Sequence, residues 1–226
     1  MGIPVGLQLD CYHLEHFNHS YHFAGHFITI YGFDSEYAYV LDGEKLKVSL
    51  ENLEKARFEK GQMFGKALSY TIKKNNNMTS VKEVIPIALN GIAKEFLYPP
   101  MKCFGYLGIQ KLGREMLKWL KCTPNPKQDL IEQAGMMEDA GTGGAIFRNL
   151  FRDFLYECLE YYSGNQNLTK AADLYKNAAS NWSKIAQLII KTGESGEMKY
   201  LEQASKMCLE TACIEKKAME HLISIC

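Results

Sequence analysis

Apolar and polar positions alternate along the first forty or so residues and then recur every three to four residues for the rest of the chain. Pro4-Val5-Gly6-Leu7-Gln8-Leu9-Asp10 reads as a buried strand running into a polar turn. His26–Gly32 and Tyr37–Asp42 are two further strands, joined by Phe33-Asp34-Ser35-Glu36 in the manner of a hairpin. A short strand over Lys45–Val48 precedes Ser49, a side chain suited to capping a helix through Lys60. Three or four short strands and one helix bury little apolar surface alone.

After the polar run Lys73–Asn77 the period lengthens to that of a helix. Ser80 and Glu83 form a capping box. The stripe Val81, Val84, Ala88, Leu89, Ile92, Ala93 and Phe96 then predicts a helix closed by Pro99-Pro100, with Pro86 kinking it or delaying its start. Ile109, Leu112, Met116, Trp119 and Leu120 mark a second helix, stopped near Pro124 and Pro126. A third fits Lys127–Glu138, and a fourth Ala145–Tyr162, with Phe147, Leu150, Phe151, Phe154, Cys158 and Leu159 turned inward. The last two span Leu168–Lys191 and Met198–Ile223. The reading is α+β: a β-rich piece over residues 1–72, then an all-α bundle over residues 73–226.

Composition adds an asymmetry. The 226 residues carry 26 basic and 26 acidic side chains, a net charge of zero that argues against nucleic acid or anionic membrane as partner. No Lys or Arg precedes Lys45, while Asp10, Glu15, Asp34, Glu36, Asp42 and Glu44 do, together with His13, His16, His19, His22 and His26. The seven cysteines are scattered without a C-x-x-C pair, a poor framework for disulfides or zinc. The amino terminus lacks a basic start and apolar run, and no apolar stretch approaches the ~20 residues that span a bilayer. A cytoplasmic protein is the expectation.

Three features could carry chemistry. His13, His16, His19 and His22 recur at a spacing of three, which suits neither a strand face nor a helix through Asn18-His19-Ser20. They are read as a polar connection, with a transition metal wrapped by this loop as the alternative, and no metal or other cofactor is assigned. His26 enters one strand and Asp42 ends the next, so hairpin pairing brings imidazole and carboxylate to one end of the sheet. An Asp that fixes one ring nitrogen leaves the other as a base, and an edge histidine beside an unrelated turn aspartate is the alternative. Gly141-Thr142-Gly143-Gly144 feeds a helix that carries Arg148 and Arg152. That turn either offers N–H groups to an anion, such as a phosphopantetheine arm or a substrate carboxylate, or packs tightly between helices.

The runs GIPVGLQLDCYHL, GHFITIYGFDSEYAYVLD and VSLENLEKAR resemble the second half of a papain-like cysteine-peptidase-type domain. More narrowly they are similar to the amino-terminal domain of the butirosin biosynthesis protein H family, related to bacteriocin-processing peptidases. EFLYPPMKCFGYLGIQKLGREMLKWL and GTGGAIFRNLFRDFLYECLEYY resemble that family's helical domain. The resemblance implies a bacterial acyltransferase of antibiotic biosynthesis. It would move an acyl group from an acyl-carrier protein or other thioester donor to a small-molecule amine through a cysteine, a histidine and an aspartate.

Carried over, His26 is the base and Asp42 its orienting acid, with Asp10 and Tyr12 near the pocket and Gly143, Gly144 and Arg148 as substrate-binding groups. The family's nucleophile sits at a helix start upstream of this strand pattern, and Cys11, at a strand end, is read as an apolar filler. The chain is therefore expected to be inactive alone. It would be a truncated gene, a fragment or a split-protein partner that needs a complementary amino-terminal polypeptide or a second copy. Cysteine-type hydrolysis of an amide or thioester, and non-catalytic binding or scaffolding, are the alternatives.

Overall fold

A computed structural model of the chain describes residues 2–17, 22–60, 65–74, 79–139, 143–223 and 225. It divides into two compact units, Met1–Met78 and Thr79–Cys226. The architecture is α+β, an antiparallel sheet in the first unit and a helical second unit. Among the described residues no helix is long and apolar enough to cross a membrane.

In the first unit β1 (Val5–Leu9), β2 (His26–Phe33), β3 (Tyr37–Asp42), β4 (Glu44–Ser49) and the two-residue β5 (Ser69–Tyr70) form a sheet of order β4-β3-β2-β1-β5. The sequence reading missed β5, which has no alternating run to announce it. Every pairing is antiparallel, with Leu7 opposite Ile28 and Ile30 opposite Val40. One face therefore collects Leu7, Leu9, Ile28, Ala38, Val40 and Val48, all buried. Helix α1 (Leu50–Phe58) seals it with Leu53 and Ala56. Each large side chain hidden there contributes about 1.5–3 kcal/mol. Ser49 caps α1 by accepting from the Asn52 N–H at 3.2 Å. Glu15 ties the loop after β1 to this helix start, accepting from Ser49 Oγ at 2.9 Å and Asn52 Nδ2 at 2.6 Å.

The second unit contains α2 (Val81–Leu97), α3 (Gly105–Glu115), a 3-10 turn over Met116–Lys118, α4 (Trp119–Cys122), α5 (Pro126–Asp139), α6 (Ala145–Tyr161), α7 (Gln166–Ser195) and α8 (Met198–Leu222). Thirty residues make α7 about 45 Å long. Its buried residues run in three tracks seven apart: Leu168, Tyr175, Trp182, Ile189; Ala171, Ala178, Ile185, Thr192; and Ala172, Ala179, Ala186, Gly193. In α8 Leu201, Cys208, Glu215 and Leu222 form one such track, flanked by Ala204, Thr211, Ala218 and by Ser205, Ala212, Met219. A sustained seven-residue repeat keeps two helices facing each other along their length, and the alanines let the backbones approach.

The expected delay of α2 by Pro86 is corrected, since the helix starts at Val81 on the Ser80–Glu83 capping box, and so are the expected inward faces of α2 and α6. Pro86 has no N–H to give the Lys82 carbonyl one turn back. The Tyr162 hydroxyl donates to that carbonyl instead, at 2.6 Å. The buried track of α2 is Ile85, Leu89, Ala93 and Leu97, while Val81, Val84 and Ile92 are exposed. Phe147 and Leu150 of α6 are likewise exposed rather than inward. They border an open cavity of about 510 Å³ with Ile92, Phe96 and Phe151.

Candidate functional site

Antiparallel order puts the end of β1, the start of β2 and the end of β3 at one end of the sheet, and α1 runs back toward it from the other end. Asp10, His26, Asp42 and Glu59 thus converge although 49 residues separate the first from the last. A one-turn 3-10 helix, Cys11–His13, follows β1 at this end.

His26 Nε2 lies 2.8 Å from Asp42 Oδ2, and His16 Nε2 lies at the same distance from the same oxygen. Strand alternation explains the first contact. His26 shares the inward face with Ile28 and Ile30, and Asp42 shares it with Val40, the residue paired with Ile30. Both imidazoles are about one-fifth exposed and Asp42 less so. Burial pushes the Asp42 carboxyl up, but the hydrogen bonds from His16 and His26 outweigh it and hold its pKa below the ordinary value. A carboxylate at neutral pH therefore accepts Nε2–H from His26, which leaves Nδ1 as the ring nitrogen for proton transfer. The Phe17 ring meets His26 edge-on at 5.1 Å and limits its rotation.

Asp10 is buried and engaged through both oxygens. Oδ1 accepts from the N–H groups of Tyr12 at 2.9 Å and Phe23 at 3.0 Å, and Oδ2 lies 3.1 Å from His22 Nδ1. Tyr12 is exposed and stacks on His22 with ring centroids 4.1 Å apart. His13 Nε2 lies 2.5 Å from Glu59 Oε2, and this hydrogen bond holds the Glu59 carboxyl below its usual value.

The histidines read as a bland connection are thus bound at specific places. His13 and His22 flank Glu59, and His16 shares Asp42 with His26; His19 lies outside the described residues. Sequence reasoning missed His16 and Glu59 because their partners are 26 and 46 residues away, beyond any local spacing rule.

Cys11 is buried at 3 % exposure. Burial first, then the charges of Asp10 and Asp42, push its thiol up, the reverse of what activates a nucleophile. Burial likewise raises Cys158, and takes Cys208 up to about 12. Cys103, Cys122 and Cys213 are exposed. Iodoacetamide at mildly alkaline pH should therefore label these three in the native protein and reach Cys11, Cys158 and Cys208 only after unfolding. Peptide mass mapping reads the result, and native labelling of Cys11 at the rate of Cys103 would refute the assignment of Cys11 as inert.

The glycine turn before α6 engages its groups internally. Gly143 has φ of +126°, and a side chain at Gly144 would collide with the Met137 carbonyl. The first N–H of α6, at Ala145, donates to Glu138 Oε1 at 3.0 Å. Arg148 donates to buried Glu215 from Nε at 3.0 Å and Nη2 at 3.3 Å, and from Nη1 to the carbonyls of Gly143 and Gly144. The sequence reading offered Gly143, Gly144 and Arg148 to an external anion. In the structure the anions are the chain's own carboxylates, one of them supplied 67 residues away on α8. Gly141 and Thr142 lie outside the described residues.

Residues 51–222 match the family model described as Domain of unknown function (DUF4872), and residues 1–43 match the model described as Butirosin biosynthesis protein H, N-terminal. No curated protein matches the chain. The second match ends one residue after Asp42 and so spans both members of the His26–Asp42 pair.

Proposed function

From the premise that this chain belongs to the family Domain of unknown function (DUF4872), with an amino-terminal segment like that of butirosin biosynthesis protein H, we propose that it supplies the histidine–aspartate base of a thiol-dependent acyl transfer. The observation that carries this reading is the 2.8 Å contact between His26 Nε2 and Asp42 Oδ2 inside that segment.

In the proposed reaction Nδ1 of His26 takes the proton of a cysteine thiol. The thiolate attacks the carbonyl of an acyl thioester; a C–S bond to the enzyme forms, the C–S bond to the carrier breaks, and His26 returns the proton to the departing carrier thiolate. An amine then attacks the acyl-enzyme, His26 accepts the amine proton, and it passes that proton to the cysteine as the enzyme C–S bond breaks. Asp42 keeps His26 in the tautomer that makes this possible and stabilises the imidazolium. Water in place of the amine gives the hydrolytic version.

Cys11 does not suit the nucleophile's part, so the thiol is taken to come from polypeptide outside these residues, as the papain-like resemblance implies. The burial of Cys11 is also what favours the second reading, a binding role without turnover. The test is formation of an amide from an aminoacyl N-acetylcysteamine thioester and a small amine. It is run with the chain alone and with the chain mixed with a papain-like amino-terminal half-domain that bears a cysteine. The proposal expects turnover in the mixture and none by the chain alone. Turnover by the chain alone that Cys11→Ala abolishes would overturn the assignment of the thiol, and a mixture as inactive as the chain would leave the binding role.

A further inference from the structure

The geometry points to a binding site for one zinc-class divalent cation on His13, His22 and Glu59, separate from the His26–Asp42 pair and independent of the function proposed for it. One ligating atom from each of the three residues lies within 4.8 Å of the other two. Two imidazoles and a carboxylate are a donor set suited to zinc and its borderline neighbours, and three protein ligands leave a coordination position open.

Three features of the surroundings make this more than proximity. Asp10, at 2 % exposure, is fixed by two backbone N–H groups and holds His22 through Nδ1 at 3.1 Å. That contact occupies Nδ1, so a cation would be ligated through Nε2, with the carboxylate–histidine support that orients metal-binding imidazoles. Tyr12 stacks on the His22 ring and meets the His13 ring edge-on at 5.1 Å, so both rings are braced by one neighbour. Finally, two of the ligands are anchored by regular elements, His13 in the 3-10 turn after β1 and Glu59 as the residue that follows α1, while His22 stands in the segment that leads into β2. Bonds of about 2.0–2.1 Å around a tetrahedral ion put ligand atoms roughly 3.3 Å apart. His13 Nε2 and Glu59 Oε2, at 2.5 Å, need to part by less than an ångström while His22 closes in. The ion takes the place of the proton between His13 and Glu59, and a neutral His13 that ligates through Nε2 carries its proton on Nδ1. His22 and Glu59 are partly exposed, which gives the ion its way in.

The probe is zinc itself. Chelator-stripped protein is titrated with zinc against a chromophoric competitor, and cobalt is added separately to read visible d–d bands. We expect one equivalent bound, at least tenfold weaker binding in Glu59→Gln and His13→Gln, and a weakening of about 10–100-fold in Asp10→Asn, which removes support for His22 without removing a ligand. His221→Gln, in the helical unit, should bind as the parent does. Circular dichroism of each variant separates a lost ligand from a lost fold, and Glu59, partly exposed beyond the end of α1, is the substitution best tolerated. The proposal is overturned if no stoichiometric zinc binds. It is equally overturned if folded Glu59→Gln and His13→Gln bind as tightly as the parent, or if His221→Gln weakens binding as much as they do.

Discussion

Replacing Arg148 with Met should destabilise the helical unit by roughly 3–5 kcal/mol, the cost of stranding a buried charge without its partner. Glu215 is 1 % exposed and lies in the heptad track of α8 between Cys208 and Leu222. It accepts from Arg148 and, at 2.6 Å, from the indole N–H of Trp182 on α7. The guanidinium also lies over the Trp182 ring, 4.7 Å from its centre. Arg148→Met keeps much of the volume but leaves the carboxylate with the indole of Trp182 as the remaining one of these two hydrogen-bond partners. Glu215→Gln removes the charge while retaining an oxygen for Trp182. The double substitution should therefore lose less than Arg148→Met alone, a coupling that the double-mutant cycle isolates.

Both tryptophans, Trp119 and Trp182, belong to the helical unit, so their fluorescence during urea or thermal unfolding reports that unit alone. At about 2–4 °C per kcal/mol, the expected fall in midpoint is on the order of 10 °C. A surface arginine held ready for a ligand would cost under 1 kcal/mol on removal. A shift that small would restore Arg148 to the anion-binding role read from its place after a glycine turn.

The largest expected effect on activity is at His26. In the reconstituted transfer reaction, His26→Gln should lower kcat by roughly 10²–10⁴-fold, the range for loss of a positioned general base. Asp42→Asn should fall by a similar factor, because the amide can present N–H to the imidazole and hold it in the wrong tautomer. Both should lower kcat and kcat/KM together with little change in KM, since the proton moves only on the way to the transition state. His16→Gln is the informative contrast. His16 Nε2 meets the same Asp42 oxygen at the same distance, so this contact does not separate the two histidines; the proposal gives the base to His26 alone, and most of the activity should survive in His16→Gln. If His16→Gln were as damaging as His26→Gln, the pair would have been assigned to the wrong histidine.

How far the sequence reveals these features depends on how local their causes are. The hairpin carrying His26 and Asp42 is legible because alternation, a polar turn and antiparallel pairing are all encoded within seventeen residues. The capping box at Ser80 is legible for the same reason. The buried face of α2 is not, because Val81, Val84, Ile85, Ile87, Leu89 and Ile92 place apolar side chains all around the helix. Only packing against its neighbours selects Ile85, Leu89, Ala93 and Leu97. Arg148 after a glycine turn looks the same whether its acceptor is a ligand or a distant carboxylate. A heptad reading of α7 and α8 would have exposed that acceptor, since Glu215 interrupts an otherwise uncharged track. The histidines illustrate the limit most plainly: a spacing of three says little, and the groups gathered at one end of the sheet decide which of them meet carboxylates.

The central claim, that Asp42 presents His26 as a base through its other nitrogen, is tested most directly by long-range proton–nitrogen NMR of the histidine side chains in the 226-residue chain. At a pH where His26 is neutral, the account predicts a protonated Nε2 and a bare Nδ1, with that preference lost in Asp42→Ala. A neutral His26 carrying its proton on Nδ1, or a tautomer unchanged by Asp42→Ala, would contradict it.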